Sequence, residues 1–185
     1  MLFKKKMEYA DDDSTSTGRL FRLRAPSLVI GLILGIGISF VTSNFEEVLT
    51  QNIQVAFFLP FIVYIADAIG TQTQNIYSRD LQSGKTNFKK YLKKELSLGL
   101  LFGIIFALFS ALVIHLWLHD TPLTLSVSIS AFITLATAPT VALLVTQSIQ
   151  SIHKDPAVGS GPITTIIQDT LSIIIYGLVA SSIIL

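Results

Sequence analysis

Two aspartates stand inside long apolar runs of this 185-residue chain, and their chemistry is the hardest to explain as packing. From Pro156 to Leu185 there are 30 residues with one charged side chain among them, Asp169, 13 positions in from the proline. A bilayer core takes about 20 apolar helical residues to cross, which places Asp169 near mid-depth. A carboxylate there costs at least ~2.5 kcal/mol, so it faces a polar cavity, a partner group or an ion. Asp67 lies 13 positions beyond Gln54 in an earlier apolar run and raises the same question. Asp67 has a competing role in helix packing, held by a hydroxyl or amide. For Asp169, depth and isolation favour the centre of a cation path.

Uncharged oxygen donors surround both acids. Thr71, Gln72, Thr73, Gln74 and Asn75 follow Asp67, while Thr164, Thr165, Gln168 and Thr170 flank Asp169. Hard divalent cations take carboxylate, carbonyl, amide, hydroxyl and water oxygens. Thr165 precedes Asp169 by one turn, so its carbonyl and the carboxylate line one stripe of a helix. Magnesium keeps several waters and needs few direct protein ligands, which suits a path with sparse acids. Zinc would recruit histidines, and His115, His119 and His153 fall towards the ends of the apolar runs, away from both aspartates. With no cysteine in the chain, disulfides and thiolate metal sites are excluded.

The elements that must position these groups are membrane helices. Apolar residues make up 51% of the chain and charged residues only 14%, bunched between long neutral stretches. Five apolar runs cover approximately 26–42, 55–76, 96–118, 122–149 and 157–185. The expected fold is all-α, a polytopic membrane protein with five transmembrane helices, multi-pass in a cell (inner or plasma) membrane. Its lysines and arginines fall in three places: six before Pro26, six from Arg79 to Lys94, and Lys154. Five spans put all three on one side, which the positive-inside rule makes the cytoplasm. The N-terminus is then cytoplasmic and the C-terminus outside, with Glu46, Glu47 and Asp120 on the outer loops. Residues 1–25 read as a disordered cytoplasmic arm and residues 26–185 as the five-helix domain. Phe88, Tyr91 and Leu92 sit at helical spacing among the lysines of 79–94, which suggests an amphipathic helix on the inner leaflet or simple topology-setting charge. Trp117 reads as an interfacial anchor, and Pro139 as a kink in the fourth span.

Each aspartate follows a proline by seven residues, Pro60 to Asp67 and Pro162 to Asp169. Proline and acid then share a helix face roughly 10.5 Å apart. The second and fifth runs cross in opposite directions, so the two segments are inverted, a pattern that points to a transporter's substrate site. Gly31, Gly35, Gly99 and Gly103, spaced four apart in pairs, read as helix-contact surfaces. Paired aspartates also allow an intramembrane aspartyl enzyme, but dyads need close carboxylates and substrate-binding polarity, and no catalytic signature accompanies these. The expectation is therefore a non-enzyme whose partners are membrane lipids and a divalent ion, with no nucleic acid. A sodium- or proton-coupled exchanger using Asp67 as the coupling site is the alternative to a magnesium transporter or channel.

The stretch Asp155-Pro156-Ala157-Val158-Gly159-Ser160-Gly161-Pro162, followed by Thr164-Thr165, Asp169 and Tyr176, closely resembles the last helix of the MgtE family of magnesium transporters and channels. Arg24-Ala25-Pro26, Phe45-Glu46, Pro60, Gly70-Thr71-Gln72, Arg79-Asp80-Leu81, Gly84, Glu95 and Gly99 follow that family's order and approximate spacing, so the likeness covers about residues 22–185. The resemblance implies a homodimer of five-helix protomers around a central pore lined by the second and fifth helices. It assigns the pore aspartate to Asp169, with the carbonyls of Thr165 and Gly161 helping to hold a hydrated ion. Where the family has glycine-glycine-asparagine, this chain has Ala66-Asp67-Ala68, which removes an amide and adds a carboxylate with consequences for ion selectivity. The likeness is to the membrane domain alone, without cytoplasmic regulatory domains, as in a short solute-carrier-like member. The metal-site candidates are Asp169, Asp67, Thr165, Gly161, Gln72, Thr71 and Gln168.

Overall fold

The computed structural model describes residues 13–84, 86–151 and 156–185; the side chains of Ser151 and of 156–160 lie outside the description. Six helices follow in chain order: α1 Thr17–Ser43, α2 Glu46–Gln51, α3 Gln54–Gln82, α4 Phe88–Leu118, α5 Thr121–Ser151 and α6 Pro156–Ile184. All but α2 are long and apolar enough to span a bilayer, as the five runs predict. A 29-residue helix such as α3 is about 43 Å long, more than the ~30 Å hydrocarbon core, so its ends reach the headgroups or it tilts. No strand occurs among the described residues, which fits a medium where each backbone polar group must be satisfied inside its own segment.

Helix α5 is central, packing on α4, α3 and α6, whereas α1 lies at the edge against α6. Its side chains Leu123, Val127, Ala131, Leu135, Ala138 and Ala142 are fully buried. Their three- and four-residue spacing makes a continuous stripe of one helix face. Between α4 and α5 the backbones come very close: a Cβ on Gly99 would lie 2.4 Å from the Ala136 carbonyl oxygen, and one on Gly103 would lie 2.8 Å from that of Phe132. These two glycines are contact surfaces as expected. Gly31 faces Ile166 of α6, but a Cβ on Gly35 would meet nothing within 4 Å, so Gly35 is no contact within this chain.

Two other expectations are corrected. The segment to Arg24 is not an arm throughout, because α1 starts at Thr17: the amides of Arg19 and Leu20 bond the Ser16 carbonyl at 2.9 and 3.0 Å. Leu20 and Leu23 stand among the arginines, all good helix formers, with Phe21 between them, and the helix runs on through Pro26. Residues 1–12 lie outside the described residues, as do His153, Lys154 and Asp155. The segment 79–94 is likewise not a separate surface helix. Gly84, at φ +69°, ends α3, and the Asn87 side chain caps α4 by accepting from the Lys90 amide at 3.1 Å. Tyr91 then turns into the protein, its ring 4.9 Å from that of Tyr77 and its hydroxyl donating to the Asp80 carboxylate.

At the other end, α4 and α5 meet in a two-residue turn. His119 takes the left-handed conformation at φ 53°, and Asp120 caps α5 by accepting from the Leu123 amide at 2.9 Å. Its second oxygen accepts from Asn52 Nδ2 at 3.0 Å, tying this turn to the α2–α3 junction.

Candidate cation site between α3 and α6

Helices α3 and α6 lie side by side and antiparallel. Contacts along α3 from Val55 through Asp67 to Gln74 meet α6 at Tyr176, Thr165 and Gly161 in turn. The Tyr176 hydroxyl donates to the Val55 carbonyl at 2.8 Å and fixes one end of the pair. Near the middle, Thr165 Oγ1 donates to Asp67 Oδ1 at 3.0 Å. Thr165 and Asp169 are one turn apart on the same helix face, so the Thr165–Asp67 bond sets both acids along one α3–α6 seam. The fold thus brings together two acids 102 residues apart in the chain.

The two carboxylates differ in how they are satisfied. Asp67 accepts from Thr165, whereas Asp169 Oδ1 is buried without a hydrogen-bond partner among the described residues. Such an oxygen costs about 1–3 kcal/mol when left unpaired, more if charged, so the position suits an incoming cation or its water shell. Among the described residues no three histidine, aspartate or glutamate side chains are grouped to hold a metal ion. Two acids with neutral oxygens match a cation that keeps water in its coordination sphere.

Gly161 lies on the Asp169 stripe two turns earlier, its α-carbon face close to Gln74: a Cβ there would be 3.6 Å from Gln74 Nε2. Gln168 is not part of this constellation. It lies a residue round the helix, fully buried, and faces Gly70 with Ala138 and Ala142 of α5. Thr71 is half-buried and Gln72 exposed, and neither joins the two aspartates through a hydrogen bond. Towards the α1–α2 end a groove of about 830 Å³ opens between α1, α2, α3 and α6, lined by Ile38, Thr42, Glu46, Leu59 and Ile173 among others and by none of the site residues. Ile173 is one turn beyond Asp169.

A third acid escaped the sequence reading. Glu95, named from the sequence only for its place in the family's order, is 8% exposed and accepts from Thr73 Oγ1 at 2.8 Å. The signal was present: Glu95, Gly99 and Gly103 are spaced four apart, and the two glycines mark the buried face of α4. Tyr77 donates to Gln147 of α5 at the same end of the bundle.

The region from Leu59 to Val179, which contains both aspartates, matches the MgtE family, described as divalent cation transporter. The chain belongs to the MgtE family. It is similar to the magnesium transporter MgtE of Bacillus subtilis (strain 168), 28% identical over 156 residues, covering 83% of this chain and 35% of that protein. It is 29% identical to the magnesium transporter MgtE of Enterococcus faecalis (strain ATCC 700802 / V583) over 161 residues, covering 85% of this chain and 36% of that protein. This MgtE-family chain spans about a third of the length of those relatives. Family membership and the five spanning helices together make it a multi-pass protein of the cell membrane.

Proposed function

We propose that the chain transports a divalent cation, magnesium foremost, along a path bordered by α3 and α6 and centred on Asp169. The observation that carries this reading is the buried, unpartnered Asp169 oxygen beside a second carboxylate in the middle of two antiparallel membrane helices. A single charge pair at 4 Å is worth about 4 kcal/mol at an effective dielectric of ~20, and a divalent ion between two acids gains several such terms. That attraction offsets part of the dehydration cost, and the carbonyls of Thr165 and Gly161 on the same stripe meet the water shell. The groove beside Ile173 gives a hydrated ion room to approach.

The path is completed by a second copy of the chain. Among the described residues no third acid or histidine joins the Asp67–Asp169 pair within one protomer. A homodimer would set two Asp169 carboxylates about one axis. The family's transport description replaces the intramembrane-enzyme alternative. A coupled exchanger is the second reading, favoured by the unequal acids: Asp67, held by Thr165, could carry a sodium ion or proton while Asp169 meets the metal.

Reconstituted vesicles test both. Magnesium uptake that follows the membrane potential and ignores sodium and pH supports a simple path, and uptake that needs an opposing sodium or proton gradient supports exchange. No flux of any divalent cation from folded protein overturns the assignment.

A further inference from the structure

The face of α6 next to that of Asp169 carries its own polar chemistry. Thr164 and Gln168 are one turn apart, 2% and 0% exposed, and offset from Thr165 and Asp169 by one residue, about 100° round the helix. Among the described residues, Thr164 Oγ1 and both carboxamide atoms of Gln168 have no hydrogen-bond partner. Across from Gln168, Gly70 leaves room for about a methyl group. A Cβ there would sit 3.6 Å from Gln168 Oε1, 3.7 Å from Ala142 Cβ and 3.8 Å from the Ala138 carbonyl oxygen, all ordinary contacts. Three buried polar atoms on one helix face in a membrane interior, where lipid offers no hydrogen bonds, are costly unless a bound species supplies partners.

We propose that α3, α5 and α6 enclose a water-binding site built on the Gln168 carboxamide and the Thr164 hydroxyl, with Gly70 as its floor. The chemistry selects water over an ion. A carboxamide presents an acceptor and a donor, so a cation would leave Nε2 unpaired and an anion would leave Oε1 unpaired, whereas water serves both and the hydroxyl as well. The α6 helix then separates two sites of different character, an acidic one for the cation and a neutral one for water. This second site stands whichever ion the first one carries.

The sign of a stability change tests it in the full chain in nanodiscs. Gln168→Met keeps the side-chain volume and removes both polar atoms. In a hydrated site it strands the water and lowers Tm by about 2–4 °C or more; in a dry site it removes two unpaired groups and raises Tm, which would overturn the proposal. Thr164→Val should lower Tm too, and the double variant should lose less than the two single losses combined, because both remove partners of one water. Equal additive losses would overturn a shared ligand. A wild-type Tm that rises with sodium or potassium over choline at equal ionic strength, and does so no longer in Gln168→Met, would assign a cation instead and also overturn it. Should neither variant fold, electron density from the wild-type protein decides. Density within hydrogen-bond distance of both Gln168 and Thr164 supports the site, and a carboxamide bonded to protein groups alone refutes it.

Discussion

The α4–α5 pair and the α3–α6 pair are both antiparallel, glycine-bearing and membrane-spanning, yet they are built to opposite specifications. In α4–α5 a methyl added to Gly99 or Gly103 would press to 2.4 or 2.8 Å against a backbone carbonyl, closer than any real contact. In α3–α6 a methyl on Gly70 or Gly161 would meet side-chain amide atoms at 3.6 Å, an ordinary distance. The first pair is closed at the backbone level, where dispersion between close helices drives association in lipid. The second keeps polar side chains in the gap and leaves Asp169, Thr164 and Gln168 with unpartnered atoms. On α6 the unpartnered acid and amide mark the candidate sites, and the touching backbones of α4 and α5 hold the frame.

The largest expected effect breaks the comparison on the α3–α6 side. Asp169→Asn keeps the size of the side chain and removes the charge. Loss of even one ~4 kcal/mol charge pair predicts a fall of roughly a hundredfold or more in magnesium flux into vesicles. The variant should fold, with Tm at or above that of the parent, because a buried carboxylate becomes neutral. Near-wild-type flux from folded protein would remove Asp169 from the path.

Next comes a paired substitution that sharpens the contrast. Gly99→Ala forces α4 away from α5 by overpacking that costs about 1–3 kcal/mol, a Tm fall of roughly 2–4 °C for each kcal/mol. Gly161→Ala meets only the flexible Gln74 side chain, and it replaces a poor helix former by the best one. Its Tm should hold or rise. Equal losses in both would mean that the two pairs are equally closed.

Most of the architecture was legible because its cause is local. Five runs of apolar residues long enough for a bilayer leave little choice but five helices, and the fold has them. The two aspartates stood out for the same reason, since a lone acid in such a run is costly unless it faces a polar partner or an ion. Side-chain partners were not. Nothing in the spacing told that Thr165 bonds Asp67 across 98 residues, or that Gln168 turns to Gly70, because rotation of one helix against another is set by packing over the whole bundle. The 79–94 segment misled because its charges outweighed two quieter signals, the turn glycine at 84 and the capping Asn87. Likewise the arginines of 19–24 read as solvated chain, whereas the leucines and phenylalanine between them carry α1 back to Thr17.

A smaller effect is expected from Thr165, which separates the two carboxylates by chemistry. Thr165→Val keeps the shape and removes the hydroxyl that bonds Asp67 at 3.0 Å. Freed of its donor, Asp67 becomes more like Asp169, and one lost hydrogen bond to a charged group, about 1.5–3 kcal/mol, sets the ceiling on the change. Flux measured across magnesium, manganese, cobalt and calcium should show apparent affinities shifted by roughly tenfold, in a pattern shared with Asp67→Asn. If Asp67→Asn leaves every ion preference unchanged and lowers Tm, Asp67 packs helices and takes no part in selection.

The smallest effect probes how separate the two pairs are. Asp120 caps α5 through the Leu123 amide at 2.9 Å and holds Asn52 at 3.0 Å, so one carboxylate ties the α4–α5 turn to the start of α3. Removing an N-cap aspartate costs about 1 kcal/mol, a Tm shift of roughly 2–4 °C. Asparagine caps nearly as well, so Asp120→Asn should retain most of the cap, and Asp120→Ala should lose both contacts. If the closed pair serves only as a frame, magnesium flux per folded molecule should change by less than about twofold in either variant. A flux loss in Asp120→Ala much larger than its Tm shift would show instead that this tie sets the position of α3, and that the frame and the ion path move as one.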